Sequence, residues 1–146
     1  MAGNRDSLNA HMEQAISEAR NALSQGEVPV GGVAVLGGRV IAVACNEKER
    51  NNDATAHAEM LLIRRASEAL GSWRLENVRV FVTLEPCPMC AEALNQARVG
   101  EVVYGCDDTQ YGAYSRKVII PAMPVIAGIC EDECKTILKE FFKSKR

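Results

Sequence analysis

The chain has 146 residues, 47% hydrophobic and 25% charged, which is ordinary globular composition and suits a single domain over 1–146 with a core that needs no disulfides. No apolar run reaches the roughly 20 residues of a membrane span, and the polar start Met1–Ser7 lacks an apolar signal segment, so the expected setting is cytoplasmic with no membrane partner. Aromatic residues at 5% exclude a broad stacking platform, and a net charge of −2 argues against a general polyanion binder.

Ser7 to Leu23 sets Leu8, Met12, Ala15, Ile16, Ala19 and Leu23 on one helical stripe, with Gly26 just past its end. Val30–Leu36 and Val40–Cys45 are β-branched runs joined through Gly37-Gly38, a hairpin pattern. Asn46–Asp53 is polar and reads as a loop, and Thr55 is placed to cap a helix that runs through Leu70 to Gly71. Val78–Thr83 is the third strand. Pro86 or Pro88 suits the first turn of a helix reaching about Ala97. A short strand Val102–Tyr104, a turn-rich loop Asp107–Ser115, a strand Val125–Ile129 and an amphipathic helix Glu131–Phe142 complete the chain. This order, α-β-β-α-β-α-β-(loop)-β-α, implies an α/β fold with a mixed sheet covered by helices.

Six cysteines in such a chain point away from a disulfide framework. Cys45, Cys106, Cys130 and Cys134 are scattered and read as small buried hydrophobes. Cys87 and Cys90 form a C-x-x-C at the start of a helix, and His57 opens the preceding helix. Thiolates and imidazole suit Zn²⁺, and a helix N-terminus favours the thiolate that the metal requires. His11 on the first helix reads as a solvated or surface residue. One histidine and one C-x-x-C make three ligands the natural count, and three protein ligands with an open position mark a catalytic zinc. A redox pair has no thioredoxin-like context here, and a four-ligand structural knuckle would need Cys45 or Cys106 to complete it.

Glu59 lies two residues after His57, a spacing that on a helix points the two side chains nearly opposite ways. That spacing gives no fourth ligand; a carboxylate nearby can instead move protons for a metal-activated water. Taken alone, Glu59 would be a surface glutamate in a first turn. Position 61 is Leu, so the H-E-x-x-H arrangement of zinc proteases is absent.

His57-Ala58-Glu59 followed by Pro86-Cys87-Pro88-Met89-Cys90 matches the H-x-E…P-C-x-x-C pattern of zinc nucleobase deaminases. Within that superfamily of cytidine and deoxycytidylate deaminases, the chain resembles the bacterial tRNA-specific adenosine deaminase family. The resemblance is carried by Gly26-Glu27-Val28-Pro29-Val30-Gly31, Asn46, Thr55-Ala56-His57-Ala58-Glu59, Val82-Thr83-Leu84-Glu85-Pro86-Cys87, Gly112-Ala113 and the ending from Asp132 to Phe142. It implies zinc on His57, Cys87 and Cys90, one per subunit, with Glu59 as proton shuttle. It further implies that Asn46 bonds the target base, that Val30 and Leu84, Glu85 and Pro86 line the pocket, and that Asp108 lies beside the nucleotide backbone. The implied fold is a three-layer α/β/α cytidine-deaminase-like sandwich with a five-stranded mixed sheet. The implied assembly is a homodimer acting on a tRNA anticodon stem-loop. One stretch departs from the pattern: Tyr114–Pro124 is shorter than the family's usual connection, and Tyr111 and Tyr114 stand where less aromatic residues are expected.

The expected reaction is hydrolysis of the wobble adenosine to inosine. A deaminase of a free base, nucleoside or nucleotide would share every zinc residue, and a zinc-stabilised RNA-binding module would have no use for Glu59. The net charge also averages unlike parts: residues 135–146 carry +4 and residues 1–134 carry −6. The basic end reads either as a solvated helix terminus or as a local rim for RNA.

Overall fold

The computed structural model describes residues 5–145, so Arg146 of the basic end lies outside the described residues. The first apolar stripe becomes α1 (Arg5–Ser24), which buries Leu8, Met12, Ala15, Ile16 and Ala19. Strands β1 (Gly31–Leu36) and β2 (Arg39–Cys45) pair antiparallel around Gly37 and Gly38. Both glycines have positive φ, 57° and 80°, as the tight turn matching strand twist requires. After them come α2 (Lys48–Asn51), α3 (Ala58–Leu70), β3 (Val78–Leu84), α4 (Pro88–Gln96), β4 (Glu101–Cys106), β5 (Val125–Ala127) and α5 (Glu131–Ser144).

The sheet order is β2-β1-β3-β4-β5. β1 runs antiparallel to β2 and β3, while β3, β4 and β5 run parallel. Consequently β2 and β3 point the same way, and each hands the chain to a helix at its carboxyl end. One sheet face buries Val33, Phe81 and Val103 against α1 and α5. The other buries Ala34, Val80 and Val102 against α3 and α4. This is the expected three-layer sandwich on a five-stranded mixed sheet.

Several boundaries differ from the sequence expectations. The polar stretch 46–53 is not all loop: the buried Glu27 carboxylate accepts the amides of Glu49 (3.2 Å) and Arg50 (2.8 Å), which nucleates α2. Thr55 does not cap α3. Its amide and hydroxyl both bond Asp53 Oδ1, at 2.8 and 2.7 Å, holding 53–57 out of the helix until His57 takes the N-cap position. Pro88, not Pro86, occupies the first turn of α4. β5 stops at Ala127 because the chain turns at Gly128, and the amides of Gly128 and Ile129 both go to the Tyr104 carbonyl. Cys45, Cys106 and Cys134 are buried as expected, but Cys130 is only half-buried, at the N-cap of α5. His11 is half-buried rather than fully solvated, its ring 5.1 Å from that of Phe81.

Gly31 marks the closest approach of α1 to the sheet. A Cβ there would overlap the Ala19 nitrogen, the Ala15 carbonyl oxygen and the Glu18 carbonyl carbon, all helix backbone that cannot step aside. Gly31→Ala is expected to lower the unfolding free energy by about 1–3 kcal/mol, read from urea denaturation; an unchanged midpoint would contradict this packing.

Candidate active site

Two helix starts meet at the carboxyl ends of β2 and β3. His57 is the N-cap of α3, with extended backbone (φ −77°, ψ 152°), and Cys87 is the N-cap of α4 (φ −76°, ψ 170°). Neither side chain makes a capping hydrogen bond to its helix, and both line the cavity between the helix ends. The first amide of α3, that of Ala58, is satisfied from elsewhere: it donates to Asn46 Oδ1 at 2.8 Å. Cys90, one helical turn into α4, is fully buried.

His57 Nδ1 stands 3.7 Å from Cys87 Sγ and 3.5 Å from Cys90 Sγ, and the three ligand atoms lie within 4.8 Å of one another. Nitrogen and sulfur bound to a tetrahedral zinc at about 2.1 and 2.3 Å sit about 3.6 Å apart, so the triangle fits that ion. Among the described residues no other His, Cys, Asp or Glu joins the cluster. Cys45 and Cys106 do not complete a four-ligand knuckle. A hydrogen bond from Cys90, helped by His57, holds the Cys87 thiol down to about 4, while the same bond and burial raise Cys90. His57 is raised by its bond to Cys87. These bonds favour the thiolate at Cys87, the form of donor that zinc needs. His57, Cys87 and Cys90 can hold zinc.

Glu59 is 3% exposed and lines the same cavity as His57 and Cys87. The opposite-sides argument fails because His57, as the N-cap, has extended backbone and lies outside the helical spacing that the argument assumes. Burial, more than any charge, pushes the Glu59 carboxyl up to about 7. An acid poised there can both take and give a proton near neutral pH.

The cavity holds about 560 Å³. Asn46, Val30, Leu84, Glu85 and Asp108 all line it, whereas Pro86 is not among the lining residues. Pro86 is buried, and its carbonyl accepts the Ala113 amide; Pro88 takes the expected place on the wall. Glu85 is an anchor more than a wall. Its carboxylate accepts the amides of Asp108 (2.9 Å), Tyr114 (2.9 Å) and Ser115 (2.6 Å), and the Ser115 hydroxyl (2.7 Å). Asp108 in turn spends Oδ1 on the amides of Gln110 and Tyr111, both at 3.0 Å. The loop at the mouth is thus preformed. Behind it, Tyr114 packs 6.4 Å from the Tyr104 ring, and its hydroxyl is buried with no partner among the described residues. Sequence reasoning missed Lys48, Tyr111, Leu138 and Phe142 on the cavity wall. The Phe141-Phe142 pair was visible, but nothing local marks which aromatic faces the site.

The chain matches the MafB19-like deaminase family over residues 6–146. It belongs to that family. A tRNA-specific adenosine deaminase of Bacillus subtilis (strain 168) is 43% identical to this deaminase over 143 residues, 93% of this chain and 89% of that protein. Another tRNA-specific adenosine deaminase, from Agrobacterium fabrum (strain C58), is 46% identical over 142 residues, 92% and 93% of the two chains. A solved structure from studies of A-to-I editing by tRNA:A34 deaminases superposes with a TM-score of 0.83 at 45% identity, covering 88% of this chain and 99% of that one. The resemblance carried by the sequence motifs holds.

The deaminase is expected to retain one zinc per chain through exhaustive dialysis, measured by elemental analysis. Cys87→Ala or Cys90→Ala should reduce this to near zero, and Glu59→Gln should leave it unchanged. Loss of zinc in Glu59→Gln would make Glu59 a ligand and contradict the three-ligand site.

Proposed function

We propose that this deaminase hydrolyses adenosine to inosine at the wobble position of a tRNA anticodon. One observation carries the reading: the buried Glu59 carboxyl shares a cavity with the His57–Cys87–Cys90 triangle, in a chain 43% and 46% identical to tRNA-specific adenosine deaminases over most of its length. In the reaction, water adds its oxygen to C6 of adenine, the C6–N bond breaks, and ammonia leaves. Zinc on His57, Cys87 and Cys90 supplies the Lewis acidity that makes water nucleophilic near neutral pH. Glu59 takes one proton from the attacking water and delivers it to the ring nitrogen, then takes the second from the newly added hydroxyl and gives it to the departing amine. The N-termini of α3 and α4 favour the negative charge that develops between them.

Asn46 fixes the base. Its Oδ1 is held by the Ala58 amide, which leaves Nδ2 to donate to a ring acceptor. Val30 and Leu84 give the base apolar walls, and Asp108 lies beside the nucleotide backbone. A base inside a paired helix cannot reach such a site, so a single-stranded loop with splayed bases is the fitting target. The proposed assembly is a homodimer with an RNA site shared between subunits, and the proposed setting is the cytoplasm. Among the described residues no helix is long and apolar enough to cross a membrane.

α5 brings Leu138 and Phe142 to the cavity and also carries Lys135, Lys139 and Lys143, so its basic side is the rim proposed for RNA. Neutralising Lys139, Lys143 and Lys145 should weaken RNA binding and flatten its salt dependence; unchanged binding would make this a plain helix end. Incubation with a wobble-adenosine stem-loop, and separately with free cytosine, guanine and nucleosides, should yield inosine in the RNA only. Glu59→Ala should cut that rate on the order of 10²–10⁴-fold with zinc retained. Turnover of free bases without RNA activity would overturn the reading for a free-base deaminase. Zinc retention with no turnover of any substrate would overturn it for a binding module.

A further inference from the structure

Tyr111 is 58% exposed, yet it lines the cavity that holds His57 and Glu59. An exposed aromatic ring on a polar, turn-rich loop has no packing role to explain it. The ring is nevertheless held in place. The Tyr111 amide bonds Asp108 Oδ1 at 3.0 Å, the Gln110 side-chain amide donates to its hydroxyl at 3.0 Å, and the Glu85 carboxylate pins the loop from below. A rigid aromatic face loses little entropy when a ligand lies against it.

Charge narrows what that ligand offers. Four carboxylates line the cavity, those of Glu59, Glu85, Asp107 and Asp108, against one lysine, Lys48. Phosphates gain little from such a wall, so binding at the mouth falls to the faces of bases. The reacting base must descend to the half-buried His57 and the buried Glu59, which leaves its neighbours in the chain at the level of Tyr111.

We propose that Tyr111 is a specificity-determining residue that stacks on the nucleobase next to the target nucleotide in the RNA strand. This rests on the RNA reading above. It replaces the broad aromatic platform that the composition excludes with a single stack. It also explains how an acidic chain binds an RNA loop beside its active site.

The test uses full-length, zinc-loaded protein and anticodon stem-loops carrying 2-aminopurine 5′ or 3′ of the target, in a Glu59→Gln background that prevents turnover. Stacking quenches 2-aminopurine emission, and one of the two positions should be quenched on binding. Tyr111→Ala should abolish that quenching and weaken binding about tenfold, whereas Tyr111→Phe should keep both. In the otherwise wild-type enzyme, Tyr111→Ala should raise KM about tenfold with kcat unchanged. An abasic neighbour should reproduce the defect, and Tyr111→Ala should then add nothing. Quenching that survives Tyr111→Ala, or an equal affinity loss with intact and abasic neighbours, would overturn the stack. Wild-type protein that deaminates the stem-loop without quenching at either position would also overturn it. Quenching without deamination by the wild type would instead fault the proposed reaction.

Discussion

The site depends on one topological constraint: two helices must start side by side at the same edge of the sheet. β2 and β3 are parallel to each other with β1 between them, and β3 and β4 are parallel neighbours. Each strand therefore returns through a crossover helix, and such crossovers share one hand. That lays α3 and α4 on one face, packed together through Leu62, Ala66 and Leu94. Their first turns lie where strands end and backbone amides point outward, the usual place for ligands in such folds. Residues three and thirty apart along the chain become neighbours there, and nothing in the ligand triangle needs a long or mobile loop.

Buried carboxylates divide the remaining work. Glu27 holds α2 through two amides, and Glu47 pairs with Arg65 at 3.2 Å. Glu85 binds the mouth loop through four donors. Glu27 and Glu85 meet the cost of burying a charge with backbone amides that they organise, and Glu47 with the side chains of Asn51 and Arg65. Glu59 differs in purpose. Its carboxyl faces the cavity beside the ligands, and burial lifts it to about 7, where it can change protonation during a reaction. The same residue type serves as scaffold in three places and is proposed as the proton carrier in the fourth.

The ligand set and the alternation of elements were legible because both are local. His57 and the Cys87–Cys90 pair sit at helix starts, and strands and helices announce themselves by period. The Glu59 geometry was not legible, since helical spacing was applied to an N-cap residue whose backbone is extended. Asp53 fixed that start by holding Thr55, a competition between a side-chain turn and a helix cap that spacing does not resolve. Glu85 read as a pocket wall because its donors lie 23 to 30 residues onward, beyond any local pattern. Pro86 and Pro88 were both open as helix starters, and which of them opens α4 depends on where β3 lets go. Tyr111 stood out as an unexpected aromatic, but only the folded loop shows that it lines the cavity.

The central claim is that three protein ligands, and no fourth, hold a zinc beside a buried carboxyl. X-ray absorption at the zinc edge of the purified protein tests it directly. The account predicts two sulfurs at about 2.3 Å and two lighter atoms at about 2.0–2.1 Å, one from His57 and one from solvent. A shell of three or four sulfurs would mean that Cys45 or Cys106 closes the site, making the metal structural and contradicting the account.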